Sequence, residues 1–429
     1  MKFPVAYDIT RLTTRVLNRT PNGIDRVDLA YASNFLAGGG SPRNGMLFLR
    51  ALGLRVLTRE GSMEVIEGIA AHLGEEDNPN FDPGYRQIKD WLRHGVEPGV
   101  VAAQRIVTGR KNFAGGVLGW IKRHGLPHGR SPVATLPREA RYVNVSQYPL
   151  AIPGSFDWLA RRPDIRPIFF IHDLLPLEAP EYFRPGEYER HVQRLQTLAR
   201  FGAGAIVSTH VVKSALEDHL ARLDRRNLPI LVAPLPVAPI FGAQEEPDAE
   251  LGRHPYFVLC GTLEPRKNHL LILHVWRELA RRHGDAAPKL ILIGARGWES
   301  ENIDDLLDRC RPLRDHVLEV SGLPTPSFKR VLKGARALLM PSFAEGYGLP
   351  IAEALATGAP VIASDIPVFR EVAGDRFVGL SPIDGEGWLR VIEDFARLDP
   401  NADAPAHAHK AQPSFKDYFA GVEEFADNL

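Results

Sequence analysis

YFVLCGTLEPRKNHLLILHVWRELARRHGDAAPKLILIG, residues 256–294, reads as strand, helix and strand in direct succession. YFVLCGT (256–262) and KLILIG (289–294) are short continuous apolar runs, and HLLILHVWRELARRHG (269–284) between them has helical spacing. Strands that are apolar on both faces and separated by helices belong to a parallel sheet covered on both sides. The alternation continues with a helix near 302–310, HVLEVSG (316–322), a short helix around 327–334 and ALLMPS (337–342). A helix from about 349, PVIAS (360–364) and a helix over 367–373 complete it. The reading is a doubly wound α/β domain.

The N-terminal half repeats this logic less regularly. Strand candidates are PVAYDI (4–9), GMLFLRAL (45–52), RYVNVS (141–146), RPIFFIHD (166–173), GAIVST (204–209) and PILVAP (229–234). Helical periodicity runs over 24–37 and 187–201. Two Rossmann-like halves follow, joined near 235–254, where Pro234, Pro236, Pro239, Gly242 and an acidic EEPDAE stretch make a linker. We expect an N-terminal domain over 1–240, a C-terminal domain over 241–400 and a last helix over 401–429. In that helix Phe415, Tyr418, Phe419, Val422 and Phe425 form one apolar stripe, which a return onto the first domain would bury.

One stretch breaks the alternation. Residues 84–131 carry nine Lys/Arg against Asp90 and Glu97, with Trp91, Phe113 and Trp120 interleaved. They are expected to be a helical insertion in the N-terminal domain. It either docks on an anionic membrane or acceptor or is simply a solvated surface.

Composition narrows the classes further. With 429 residues the chain is long enough for two or three domains with their own cores. Lys+Arg and Asp+Glu are both 52, so there is no chain-wide basic field for nucleic acid, and 84–131 holds no recognisable nucleic-acid module. Cys260 and Cys310 are the only cysteines, with no CxxC pair, which argues against a disulfide framework or structural zinc. No signal peptide or spanning segment is visible, so the expected location is the cytoplasm, with peripheral contact at the inner face of the membrane left open.

The chemistry concentrates in two stretches of the C-terminal half. PSFAEGYGLPIAEALATGAPVIASD (341–365) starts at the C-terminal end of a strand, where open α/β sheets bind ligands. Glu345 lies in a loop with Gly346 and Gly348, Pro350 suits a first helical turn, and Glu353 follows Glu345 by eight residues. Glycines let a ligand approach backbone N–H groups, a helix N-terminus favours phosphate, and carboxylates accept from sugar hydroxyls. Glu353 alone would read as an exposed first-turn acid; together with Glu345 it reads as a site. CGTLEPRKNH (260–269) places Gly261 and Thr262 before Arg266 and Lys267 at another strand-to-helix junction. Two cations there suit a diphosphate, although an isolated pair would be ordinary surface charge. Neither a Walker A loop nor a dinucleotide GxGxxG is present.

GTLEPRKN together with EGYGLPxxEALAxGxPVIAS resembles the retaining glycosyltransferases of family 4 over most of 256–375. The resemblance implies the GT-B fold, an α/β architecture of two Rossmann-like domains facing each other across a cleft, with a C-terminal helix crossing back. It implies that Glu345 contacts the donor-sugar hydroxyls and Glu353 the nucleotide ribose. Arg266 and Lys267 would bind the donor diphosphate and stabilise it as a leaving group. Gly346, Tyr347, Gly348 and Leu349 would contact sugar and phosphate through the main chain, and Leu323 the base. In the first half, TPNGIDRVDLAYA (20–32) lies where family members place a glycine loop, here with one glycine where many have two. Gly23 would allow close backbone approach and Arg26 would reach a phosphate. His172, in IHDLLPLEAPEYFRP (171–185), would point toward the transferred sugar, against the alternative of a structural histidine.

A nucleoside diphosphate leaves without needing a proton, so Glu345 need not be a general acid, in contrast to the carboxylate pair of a glycoside hydrolase. No DxD-type acid pair stands out, so the reading takes no metal and no cofactor, only a nucleotide-sugar donor. The expected activity is transfer of a hexose, from GDP-mannose by preference or a UDP-hexose, to a lipid-linked or oligosaccharide acceptor in surface-polysaccharide or lipopolysaccharide assembly. The alternatives are a nucleotide-sugar hydrolase or epimerase, which would consume donor without acceptor, and a non-catalytic nucleotide-sugar-binding scaffold.

Overall fold

The computed structural model describes residues 2–15, 23–49, 52–73, 78–95, 105–107, 130–246, 248–251, 254–398 and 414–429. The chain divides into two compact units, one of residues 1–74, 110–236 and 413–429, the other of residues 75–109 and 237–412. In chain order the strands are β1 (Val5–Asp8), β2 (Arg43–Leu49), β3 (Gly53–Val56), β4 (Arg105–Val107), β5 (Arg141–Asn144), β6 (Arg166–Phe170) and β7 (Gly204–Val207). They continue with β8 (Ile230–Val232), β9 (Tyr256–Cys260), β10 (Lys289–Ile293), β11 (Val317–Ser321), β12 (Leu338–Met340), β13 (Val361–Ser364) and β14 (Val378–Leu380).

Unit 1 is a seven-stranded sheet in the order β3-β2-β1-β5-β6-β7-β8. It is parallel except where β3 turns back against β2, pairing Met46 with Val56 and Leu49 with Gly53. The order reverses between β1 and β5, the topological switch point at which doubly wound sheets bind ligands. The Phe415–Asp427 helix belongs to this unit, and the apolar stripe explains why. Tyr418 and Tyr31 hydroxyls lie 2.7 Å apart, and the Phe419 ring meets Tyr31 edge-on at 5.2 Å. Gly204 has no side chain, and a Cβ there would come within 2.9 Å of the Phe425 ring.

Unit 2 is a wholly parallel sheet in the order β14-β13-β12-β9-β10-β11-β4. Alternate residues of β9 go to opposite faces: Phe257 and Leu259 pack with Trp276 and Trp388, Tyr256 and Val258 with Leu318 and Ile351. Burial on both sides is why these strands read as unbroken apolar runs. The switch point lies between β9 and β12, the strands whose C-terminal ends carry the two motifs.

The expected insertion is corrected here. Residues 75–109 group with unit 2 rather than with the N-terminal unit. The helix Pro83–His94 starts at Asp82, whose side chain accepts from the Tyr85 amide at 2.7 Å. Its Tyr85, Ile88, Trp91 and Leu92 form one helical stripe in the core beneath β9 and β11, and β4 extends the sheet beside β11. Lys89 pairs with Asp248 at 2.9 Å and with Glu250 at 2.5 Å, and Arg93 pairs with Glu250 at 2.7 Å. The apolar face of this helix is therefore covered, and Lys89 and Arg93, two of the nine Lys/Arg of 84–131, have acidic partners within the chain. Arg110, Lys111, Phe113, Trp120, Lys122 and Arg123 lie outside the described residues. No helix among the described residues is long and apolar enough to cross a membrane.

Candidate functional site

β9 and β12 are neighbours, so the loops leaving their C-terminal ends meet although 78 positions separate Lys267 from Glu345. After β9 the chain passes Gly261 at φ +134°, where a Cβ would sit 3.2 Å from Cε of Lys267. A short 3-10 turn, Pro265–Lys267, then presents both cations and is closed by Asn268 in the left-handed region at φ +56°. The Asn268 side-chain amide donates to the carbonyls of Pro341 at 3.1 Å and Pro382 at 2.8 Å, which ties the two loops together. The Phe343 amide donates to the Arg266 carbonyl at 2.9 Å.

The charged groups form one continuous network. Lys267 Nζ lies 2.5 Å from Glu345 Oε1, Arg266 Nη1 lies 2.7 Å from Glu345 Oε2, and Ser342 donates to Glu345 Oε1 at 2.8 Å. Arg266 also donates to the Ala344 carbonyl at 2.7 Å and to Glu264 Oε1 at 2.6 Å. Burial pushes the Glu345 carboxyl upward, but Arg266 and Lys267 outweigh it and hold the group at about 2, so it is ionised throughout the physiological range. Burial raises the pKa of Glu264 above the ordinary carboxylate value. Two cations and two carboxylates thus converge at the switch point, with the cations held in fixed directions.

The helix Leu349–Thr357 begins directly after this network. Gly348 caps it at φ +87°, and a Cβ there would fall 2.7 Å from the Phe369 ring, so only glycine fits. Gly346 and Tyr347 are buried beside it, Leu349 is half-buried, and burial raises the Tyr347 hydroxyl well above its usual value. Glu353, one turn into the helix, is 1% exposed, so it is not a solvated first-turn acid. Leu323, just past β11, has its side chain in the core. Thr262 is exposed.

Gly23, Arg26 and His172 belong to unit 1. Gly23 is the first residue of the Gly23–Ala37 helix, and both it and Arg26 are half-buried; residues 20–22 of the expected 20–32 loop lie outside the described residues. His172 follows β6, and its Nε2 donates to the Val145 carbonyl at 2.9 Å, which leaves Nδ1 as the acceptor. Burial, and then the charges of Arg11 and Arg194, lower its pKa to about 3, so the ring is neutral. Among the described residues no group of three or more His, Cys, Asp or Glu side chains stands ready for a metal ion.

Several residues that matter here were not singled out from sequence. Glu264 and Ser342 orient the cation–carboxylate network, and Asn268 locks the loops. His269 is 1% exposed with neither ring nitrogen hydrogen-bonded. An Asn immediately after an Arg-Lys pair at a strand-to-helix junction was the available signal, since Asn tolerates the left-handed region.

Residues 243–396 match the family described as Glycosyl transferases group 1. The chain is 30% identical over 254 residues to the serotype-specific mannosyltransferase WbdA of Escherichia coli, a match covering 53% of this chain and 30% of that protein. It is 31% identical over 188 residues to O-antigen chain mannosyltransferase B of Escherichia coli, 44% of each chain. The chain therefore spans less than half the length of these curated relatives. Among solved structures, Anabaena HepE in complex with UDP and glucose superposes with a TM-score of 0.59 at 13% identity, over 99% of this chain and 100% of that one. Sucrose-phosphate synthase from Thermosynechococcus elongatus gives 0.55 at 14% identity, over 99% of this chain and 94% of that one. Residues 243–396 are a group 1 glycosyl transferase domain, in a chain whose two Rossmann-like units are those of the GT-B fold.

Proposed function

We propose that this chain is a glycosyltransferase that moves a hexose from a nucleoside-diphosphate sugar to a glycan or lipid-linked acceptor during surface-glycan assembly. The observation that carries the reading is the Arg266–Lys267–Glu345 network at the switch point of the group 1 domain. Breaking the anomeric bond leaves negative charge on the departing diphosphate, and two preoriented cations beside a helix N-terminus stabilise that charge as it develops. Arg266 and Lys267 take that role without a metal ion. Glu345, always ionised, accepts from donor-sugar hydroxyls, and Glu353 accepts from the ribose. Main-chain groups of Gly346 to Leu349 approach the sugar and phosphate, and the main chain of Leu323 meets the base. In unit 1, Gly23 would allow close backbone approach and Arg26 would reach a phosphate, and the neutral His172 ring would serve as a hydrogen-bond partner for the sugar rather than as a charge.

Mannose from GDP-mannose is the preferred donor, in line with the mannosyltransferase relatives, and UDP-hexoses are the competing donors. Retention of anomeric configuration, with the leaving phosphate oxygen taking the acceptor proton, is part of the proposal. A lipid-linked acceptor would place the work in the cytoplasm at the inner face of the membrane.

The test follows nucleotide release from GDP-mannose, UDP-glucose and UDP-N-acetylglucosamine, with and without a bacterial membrane-glycan extract as acceptor. Acceptor-dependent release from one donor, reduced about 10²–10³-fold in kcat by Arg266→Met, is expected. Equal release without acceptor would make the protein a hydrolase, and conversion of the donor into another nucleotide sugar without nucleotide release would make it an epimerase. Undiminished turnover in the folded variant would remove Arg266 from the mechanism.

A further inference from the structure

The two cations at the switch point of unit 2 already hold an anion between them. Nη1 of Arg266 carries two protons and both are engaged, one by Glu345 Oε2 and one by the Ala344 carbonyl, each at 2.7 Å. Nη2 donates to Glu264 Oε1 at 2.6 Å. Nζ of Lys267 lies 2.5 Å from Glu345 Oε1, and among the described residues no other carboxylate comes within 4.0 Å of it. Glu345 therefore bridges the two cations, one oxygen to each, as two oxygens of a phosphate would. Little water screens the contact, since the side chains of Arg266, Lys267 and Glu345 are 13%, 12% and 8% exposed.

A diphosphate that binds Arg266 and Lys267 must take them from Glu345. The two cations hold the Glu345 carboxyl at about 2, so it is an anion when the diphosphate arrives, and the two like charges compete. A buried carboxylate parted from its cations is costly unless other donors reach it. Ser342 supplies one, its hydroxyl 2.8 Å from Oε1. A nucleoside diphosphate ends in phosphate oxygens, which only accept, whereas a sugar nucleotide ends in hydroxyls, which donate. Arg266 keeps Glu264 through such an exchange, because Glu264 caps the same short turn two residues earlier. The guanidinium is thus held from one side while Glu345, from the other loop, is the partner that can move.

We propose that Glu345 discriminates an intact sugar nucleotide from its nucleoside diphosphate by exchanging partners. The diphosphate displaces Glu345 from Arg266 and Lys267, and the sugar hydroxyls replace the cations as its donors. Once the sugar has been transferred, Glu345 loses those donors, returns to the cations and expels the nucleoside diphosphate. That the diphosphate carries a sugar rests on the transferase reading; the competition of two anions for one pair of cations does not.

The full chain is titrated calorimetrically with GDP and GDP-mannose, UDP and UDP-glucose, and inorganic pyrophosphate, in wild type, Glu345→Gln and Glu345→Asp. A urea midpoint checks that each variant is folded. Glutamine removes the competing charge and keeps the shape, so bare nucleotide and pyrophosphate should bind at least about tenfold tighter, the strength of one charged hydrogen bond. The sugar conjugate should gain less, so its affinity relative to the bare nucleotide falls. Aspartate keeps the charge but shortens its reach by one methylene, so its values should lie between, and it serves if the glutamine variant does not fold. Bare nucleotide bound no more tightly by the folded variant would overturn the exchange and leave the transferase reading standing. An equal gain for bare nucleotide and conjugate would overturn the discrimination. Tighter pyrophosphate binding by the variant, with nucleotides bound by neither protein, would keep the competition and defeat the transferase reading. Binding of none of these ligands to any of the proteins would overturn both.

Discussion

His269 opens the helix that follows the Arg266–Lys267 turn, and replacing it with phenylalanine should remove part of the protein's acid sensitivity. The ring is 1% exposed and neither nitrogen is hydrogen-bonded, so the fold accepts only the neutral form. Burial first, and then the charge of Lys267, lower its pKa from 6.5 to about 3. An unfolded histidine with a pKa of about 6.5 takes up a proton at pH 5 that the folded one refuses. The folded-state pKa is depressed, so the stability is fully present above about pH 7 and is lost progressively as pH falls. Integration gives a loss of about 2 kcal/mol between pH 7.5 and pH 5, independent of the folded value so long as that lies well below 5. For a unit of this size the loss corresponds to a drop of roughly 4–8 °C in Tm. The assay is thermal unfolding of wild type and His269→Phe at half-unit steps from pH 7.5 to 5. Other histidines and the carboxylates contribute equally to both proteins, so the difference between the two pH slopes isolates His269. Phenylalanine fills a similar volume and breaks no hydrogen bond, so the variant should fold. Parallel curves would refute the claim that this ring is buried neutral beside Lys267.

Trp91→Ala should destabilise unit 2 by about 3–5 kcal/mol, because Trp91 is 2% exposed in its core, and should leave association with anionic vesicles unchanged. Weakened vesicle binding at unchanged stability would favour the docking reading of this helix. Gly348→Ala should lose about 1–3 kcal/mol from strain at φ +87° and a 2.7 Å approach to Phe369, seen as a lower urea midpoint together with weaker nucleotide binding. A wild-type midpoint would mean that the helix start tolerates a side chain.

The parallel strands were readable because each is apolar on both faces, so YFVLC and KLILI stand out without any partner in view. The strands that escaped are short edge elements. β14 is VGL, β4 is RIV, and β3 is GLRV with alternating burial, and none makes an apolar run of its own. The unit to which the start of the basic stretch belongs was hidden for a different reason. The partners of Lys89 and Arg93 are Asp248 and Glu250, more than 150 positions further along, and a local count of charge cannot include them. In the site, Arg266, Lys267 and Glu345 were legible as residue types at a strand edge. The pairing among them, and the hold of Glu264 on Arg266, follow from β9 and β12 being neighbours, which only the sheet order reveals.

The most direct test of the donor site is calorimetric titration of the full chain with GDP, UDP and ADP and with their mannose, glucose and N-acetylglucosamine conjugates, in wild type and Glu353→Ala. The account predicts saturable binding of one nucleotide, retained in its sugar conjugate and lost in the variant. Binding that is unaltered by Glu353→Ala would contradict the ribose contact, and no binding of any nucleotide to folded protein would contradict the donor site itself.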